Sequence, residues 1–183
     1  MEGLSDRDQA VLRSIMDPTA TLGDLTDDSD HFPEDNAPAS DGDRLSAELC
    51  ARGAALAEGG RLGEALALMG EGVAAAPARP DAYNDRAQVL RLMMRDTEAL
   101  SDIERALSLT AGSRCRARAL ALCQRGLLRR KAGAEAEARA DFVEAADLGS
   151  AFAKKQAVEL NPYAALCNQM LSQVLRGDKE IKL

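Results

Sequence analysis

Beyond Arg44 the apolar positions recur at three- and four-residue spacing, the period of a helix with one buried face. Three small residues set the register, each opening a small–large–small pattern: Ala65–Met69–Gly72, Ala99–Ile103–Ala106 and Ala138–Phe142–Ala145. The first two patterns lie 34 residues apart and the next step is 39, so about five residues are inserted before the third. A small residue at a helix crossing lets two backbones approach, and the larger residue one turn later fills the gap beside it. Repeated at this period, the pattern predicts stacked helical hairpins. Such arrays carry binding surfaces far more often than chemistry.

A 34-residue period is that of the tetratricopeptide repeat (TPR). Placing each repeat by its alanine gives 46–79, 80–113 and 119–152 within a folded body of 44–152. In repeat one, helix A is expected over 46–58, is broken by Gly59-Gly60, and is followed by helix B over 62–75 before Pro77. Repeat two opens on Pro80-Asp81, with Tyr83 as the large aromatic, Ala87 as the small crossing residue and Leu90 next along the face. Repeat three has Leu122 and Gly126, then Gly133 at the turn between its helices. The insertion falls at 114–118, either lengthening the third helix A backward or forming a loop. The fold class is all-α: a right-handed TPR superhelix of three hairpins, with a C-terminal cap and a disordered acidic N-terminal arm.

The cap is expected over 153–176, because a solenoid end exposes an apolar face. Ala151–Leu160 reads as a short helix. Asn161-Pro162 then opens a second helix, with a stripe of Tyr163, Leu166, Met170, Leu171, Val174 and Leu175. Core packing accounts for that stripe, and 177–183 is a frayed tail. At the other end, residues 1–18 contain a short amphipathic helix, DRDQAVLRSIM over 6–16, with Val11, Leu12 and Ile15 on one face. Residues 19–43 form an acidic linker. From Asp17 to Asp43 there are nine acids, no base and three prolines, which is a composition that does not pack.

The net charge of −7 therefore conceals two halves. Residues 1–43 hold twelve acids and two arginines, whereas 44–183 are mildly basic. With a pI near 4.8 and no interleaved basic and aromatic residues, a nucleic-acid partner is not expected. No apolar run approaches the ~18 residues of a membrane span, and no signal peptide is apparent, so a cytoplasmic protein is expected, with the nucleus left open. Four cysteines form no CxxC pair. Cys50 and Cys123 fall on core faces and read as buried, inert thiols.

Catalytic motifs are missing: there is no HExxH, GxSxG, P-loop or GxGxxG. The one histidine, His31, lies in the acidic arm, so the folded body cannot supply a Ser-His or Cys-His pair. Acids paired along a helix, such as Asp102 with Glu98, read as solvated faces. An enzyme, a metal and a cofactor are all not expected. One charge feature remains. Between Glu104 and Glu135 there is no acid, but there are seven arginines and Lys131. On helix A of repeat three these arginines read either as a groove-lining patch for an acidic peptide or carboxylate terminus, or as a solvated helix face. Arg86 and Arg125 hold equivalent places, which fits either partner contact or bracing of adjacent repeats.

Four stretches carry a narrower likeness: DQAVLRSIMDP, AYNDRAQVLRL, QRGLLRRKAGAEAEARADFVEAADLGS and AVELNPYAALCNQML. Through them the chain resembles the tetratricopeptide repeat protein 36 family. The resemblance implies a three-repeat adaptor, with binding to a heat-shock chaperone and links to cilium assembly, a ciliary setting and tyrosine metabolism. TPR domains that grip a chaperone's acidic C-terminus use a carboxylate clamp of lysine, asparagine and arginine. At the matching places this chain has Cys50, Ala54, Asp85, Leu120 and Gln124, none of them a clamp residue. Two functions are carried forward. The first is a non-catalytic adaptor holding a protein segment, with groove candidates Tyr83, Asn84, Arg86, Arg118, Arg125 and Arg129. The second is a structural subunit of a larger assembly whose groove is filled by its own N-terminal segment.

Overall fold

The computed structural model describes residues 40–161 and 163. The expected N-terminal helix, most of the acidic linker, the second capping helix beyond Tyr163 and the tail lie outside the described residues; Tyr163 itself is exposed rather than packed in a core.

Seven helices follow one another among the described residues, with no strand: α1 (Asp41–Glu58), α2 (Leu62–Ala75), α3 (Pro80–Leu92), α4 (Asp96–Leu109), α5 (Arg116–Lys131), α6 (Glu135–Asp147) and α7 (Ala151–Glu159). The fold is thus all-α. Helix α1 begins five residues before the expected 46, so residues 41–43 are helical and not part of a linker. The cause is local. Ser40 Oγ accepts from Asp43 N–H at 3.1 Å while Asp43 Oδ2 accepts from Ser40 N–H at 3.1 Å, closing a capping box. Asp41 and Asp43 also suit the positive end of the helix dipole. Acids that read as arm are therefore the start of the body.

The inserted residues do both things the spacing allowed. Residues 110–115 make a longer turn, with Gly112 in the left-handed region (φ 74°), and 116–118 add a turn to the front of α5. Helix α7 starts where Ser150 Oγ accepts from Ala153 N–H.

Each hairpin closes on one small–large contact. A Cβ on Gly53 would lie 2.9 Å from Met69 Cγ, and a Cβ on Gly126 would lie 2.8 Å from the Phe142 ring. In repeat two the milder pair Ala87 and Ile103, both fully buried, occupies the same places. A flexible or planar partner thus meets glycine and a compact branched one meets alanine, which is volume complementarity. Beyond repeat three, α7 packs on α6: Ala153 is fully buried, and Phe152 meets Phe142 edge to face at 6.1 Å. In addition to chain neighbours, α1 touches α3 and α3 touches α5. The first helices of the repeats therefore form one continuous layer, and its outer face is the groove. Among the described residues no helix is long and apolar enough to cross a membrane.

Candidate functional site: the face of the first-helix layer

Along α3 the residues Asp81, Asp85, Gln88 and Leu92 follow one another at three- and four-residue steps, so they share a face. That face looks out where the three first helices meet. Asp85 takes a hydrogen bond from the Cys50 thiol of α1 and feels the charges of Arg79 and, on α5, Arg116. At its other end the stripe runs into a cavity of about 340 Å³ shared with α5.

The Asp85 end is polar and tight. Burial, and then the Asp81 charge, hold the Asp85 carboxyl above its ordinary range, while Arg79, Cys50 and Arg116 oppose the shift. Burial, with the Asp85 charge, pushes the Cys50 thiol up to about 11, so it is an inert thiol as its core position predicts. Gln124 is buried and donates to the Asn84 carbonyl at 3.0 Å. The clamp positions thus offer no cation to a carboxylate terminus. A native carboxyl that holds its proton more tightly than the unfolded one favours folding at low pH and loses that contribution as pH rises from about 4 through its raised native value. Asp85→Asn, which keeps an acceptor for the thiol, is therefore expected to melt higher than wild type at pH 7. The gain should shrink toward pH 4. Thermal melts across that range check it, and equal melting at pH 7 would refute it.

The far end is apolar and cationic. Arg91, Leu92, Met94, Leu127, Leu128 and Lys131 line the cavity there. Leu92 is 58% exposed and Met94 70%. Lys131 Nζ reaches Asp96 at 2.5 Å and the Met94 sulfur at 3.8 Å. Arg91 is half-buried, and burial lowers its guanidinium from the ordinary value while the Asp96 charge opposes the shift. Met94 is also the single non-glycine residue with positive φ (59°) among the described residues. The same turn position in repeats one and three is Gly60 (φ 78°) and Gly133 (φ 81°). A side chain held there costs about 1–3 kcal/mol relative to a relaxed backbone. Repeat two therefore tolerates strain at the one place that puts a large apolar side chain at the mouth of this notch.

The six residues expected to line the groove are placed differently. Tyr83 is buried and its hydroxyl donates to the Pro77 carbonyl. Asn84 is 2% exposed and donates to the Ala117 carbonyl at 2.8 Å, bracing repeats two and three. Arg86 forks onto Asp102 at 2.6 and 2.7 Å. Arg125 does the same to Asp141, which also receives Arg129 at 2.7 Å. Arg118 binds Glu144. Positions 118, 125 and 129 fall within about 40° of one another at ~100° per residue, and Leu120 and Gln124 lie on the opposite side of the helix. The arginine stripe thus faces α6 and not the groove. Its bracing acts mainly within a hairpin, and Arg118 also donates to the Thr110 carbonyl at the end of α4 at 3.4 Å, which ties repeats two and three. Asp102, read from sequence as a solvated acid, is buried as the partner of Arg86. Of the notch residues, sequence reasoning noted only Lys131. The signal it passed over is Met94 standing in the column of Gly60 and Gly133.

Three helical hairpins closed on small–large pairs, with their first helices sharing one open face, define a tetratricopeptide-repeat domain. No protein-family model matches the chain. Tetratricopeptide repeat protein 36 of Danio rerio is 44% identical over 174 residues, covering 93% of this chain and 92% of the relative. That of Homo sapiens is 42% identical over 175 residues, covering 92% of each. The chain belongs to the tetratricopeptide repeat protein 36 family. Among solved structures, the Arabidopsis OM64 TPR domain superposes with a TM-score of 0.56 at 22% identity, covering 65% of this chain and 96% of that domain, which supports the fold.

Proposed function

We propose that the chain is a non-catalytic protein-interaction adaptor whose working surface is the face of the first-helix layer, centred on the Leu92–Met94 notch. One observation supports this: exposed Leu92 and Met94 sit beside a half-buried Arg91 whose guanidinium feels Asp96 but forms no side-chain hydrogen bond among the described residues, whereas the arginines of the α5 stripe are spent on α6. An apolar pocket rimmed by Arg91 and Lys131, with Asp96 as their single acid, suits an apolar side chain flanked by a carboxylate. The roles implied by the family resemblance are chaperone binding, cilium assembly and tyrosine metabolism, and shielding a client is a variant of the adaptor reading. All require only a groove and a partner. With Asp85 and Cys50 at clamp positions, a heat-shock chaperone would be held by contacts other than a carboxylate clamp.

Capture of partners from cell lysate, read by mass spectrometry, tests the surface. The Leu92→Glu/Met94→Glu variant should lose the partners that wild type and Arg105→Glu retain, since Arg105 is exposed and lies on α4. An unchanged partner list from a folded notch variant would overturn the assignment.

A further inference from the structure

The notch asks for a particular occupant, and the same chain contains one. We infer that residues 6–17, DRDQAVLRSIMD, dock in the notch in cis and must be displaced by any partner. The inference rests on the reading of the notch as a binding site and adds its regulation.

Three observations favour this segment. The first is chemistry. As a helix the segment would put Val11, Leu12 and Ile15 on one face, with Asp6, Asp8 and Asp17 at its ends outnumbering Arg7 and Arg13. The notch offers Leu92, Met94 and Leu127 beside two cations, Arg91 and Lys131, against one acid, Asp96, so it is net cationic. Residues 1–39 carry ten acids against two arginines, so charge steers the whole arm toward a cationic end. The second is reach. Ser40 sits at the end of the layer where α2 stops and α3 starts, since a Cβ on Gly42 would touch the Ala75 carbonyl at 2.8 Å. The notch lies at the opposite end of α3, roughly 20 Å away for a helix of this length. The 22 residues between Asp17 and Ser40 span about 25 Å root-mean-square as a coil, so the segment reaches without stretching. The third is tethering. A linker of matched length raises the local concentration to the order of millimolar, so modest complementarity is enough.

The other notch occupants, an outside protein and a second copy's arm, are outcomes of the test. Amide hydrogen exchange of the full chain at low salt, read by mass spectrometry on peptides covering 6–17, should show exchange at least about tenfold slower than in an unstructured peptide of the same sequence. Arg91→Glu and Leu92→Asp should each abolish that protection without changing the melting of the repeats. Exchange at the unstructured rate in wild type, or protection unchanged in both variants, would overturn docking. Protection that rises with protein concentration would assign the notch to a second copy's arm and also overturn it. The adaptor reading is separable. An unprotected segment with partners still lost from notch variants refutes only the cis occupant. A protected segment with every partner retained refutes only the adaptor reading of the notch.

Discussion

Phe142→Ala is expected to destabilise the protein by about 3–5 kcal/mol, the range for emptying a fully buried aromatic site. Phe142 has no exposed surface and joins three helices: it fills the space left by Gly126 of α5, belongs to α6, and meets Phe152 of α7 edge to face. In a repeat array each unit is held by its neighbours, so the loss should fall on repeat three and α7 before repeats one and two. Gly126→Ala is the opposite test. Its new methyl would sit 2.8 Å from a ring that cannot flex, and overpacking of this kind costs about 1–3 kcal/mol. The double variant Gly126→Ala/Phe142→Ile copies the Ala87 and Ile103 pair of repeat two, and it should recover most of the Gly126→Ala loss. Urea unfolding measures these three together with Phe142→Ile alone, which closes the cycle. Strictly additive losses in the double variant would show that the two positions are not a complementary pair.

Asp141→Ala is expected to cost about 3 kcal/mol, near the low end for breaking a buried pair because both guanidinium groups still reach water. Asp141 is 3% exposed and accepts from Arg125 at 2.6 Å and from Arg129 at 2.7 Å. Without the carboxylate, two like charges one turn apart on α5 are left side by side against α6 with no counter-charge between them. Asp102→Ala should cost less, because its partner there is Arg86 alone. Arg129→Ala should stay within about 1 kcal/mol, since that side chain is 35% exposed and Arg125 still satisfies the acid. Equilibrium unfolding gives the order. A loss for Asp141→Ala no larger than that for Arg129→Ala would mean that the arginines rehydrate freely and that the brace contributes little.

Helix limits were legible where the determining contacts are local. Gly59-Gly60, Pro77 and Pro80 are punctuation within a few residues of the boundaries they set, and α2 and the start of α3 fall where those signals place them. The start of α1 was not legible, because a capping box and an acidic linker use the same residues, and only the reciprocal Ser40–Asp43 bonds tell them apart. The candidate site was legible only in part. The spacing put Arg118, Arg125 and Arg129 on one face of a first helix, but not which way that face turns, because the answer lies in Asp141 and Glu144 on the following helix. For the same reason Asp102 passed as a surface acid: its partner Arg86 is 16 residues earlier, across a hairpin turn.

By itself the sequence determined the all-helical array, its 34-residue register and the small–large–small pattern along each second helix. These depend on side-chain volume at fixed helical spacing. Only the tertiary structure decided which charges are spent and which remain. Pairing requires two helices to be brought side by side, and that juxtaposition engages the α5 stripe with α6 while leaving Arg91 beside exposed Leu92 and a strained Met94.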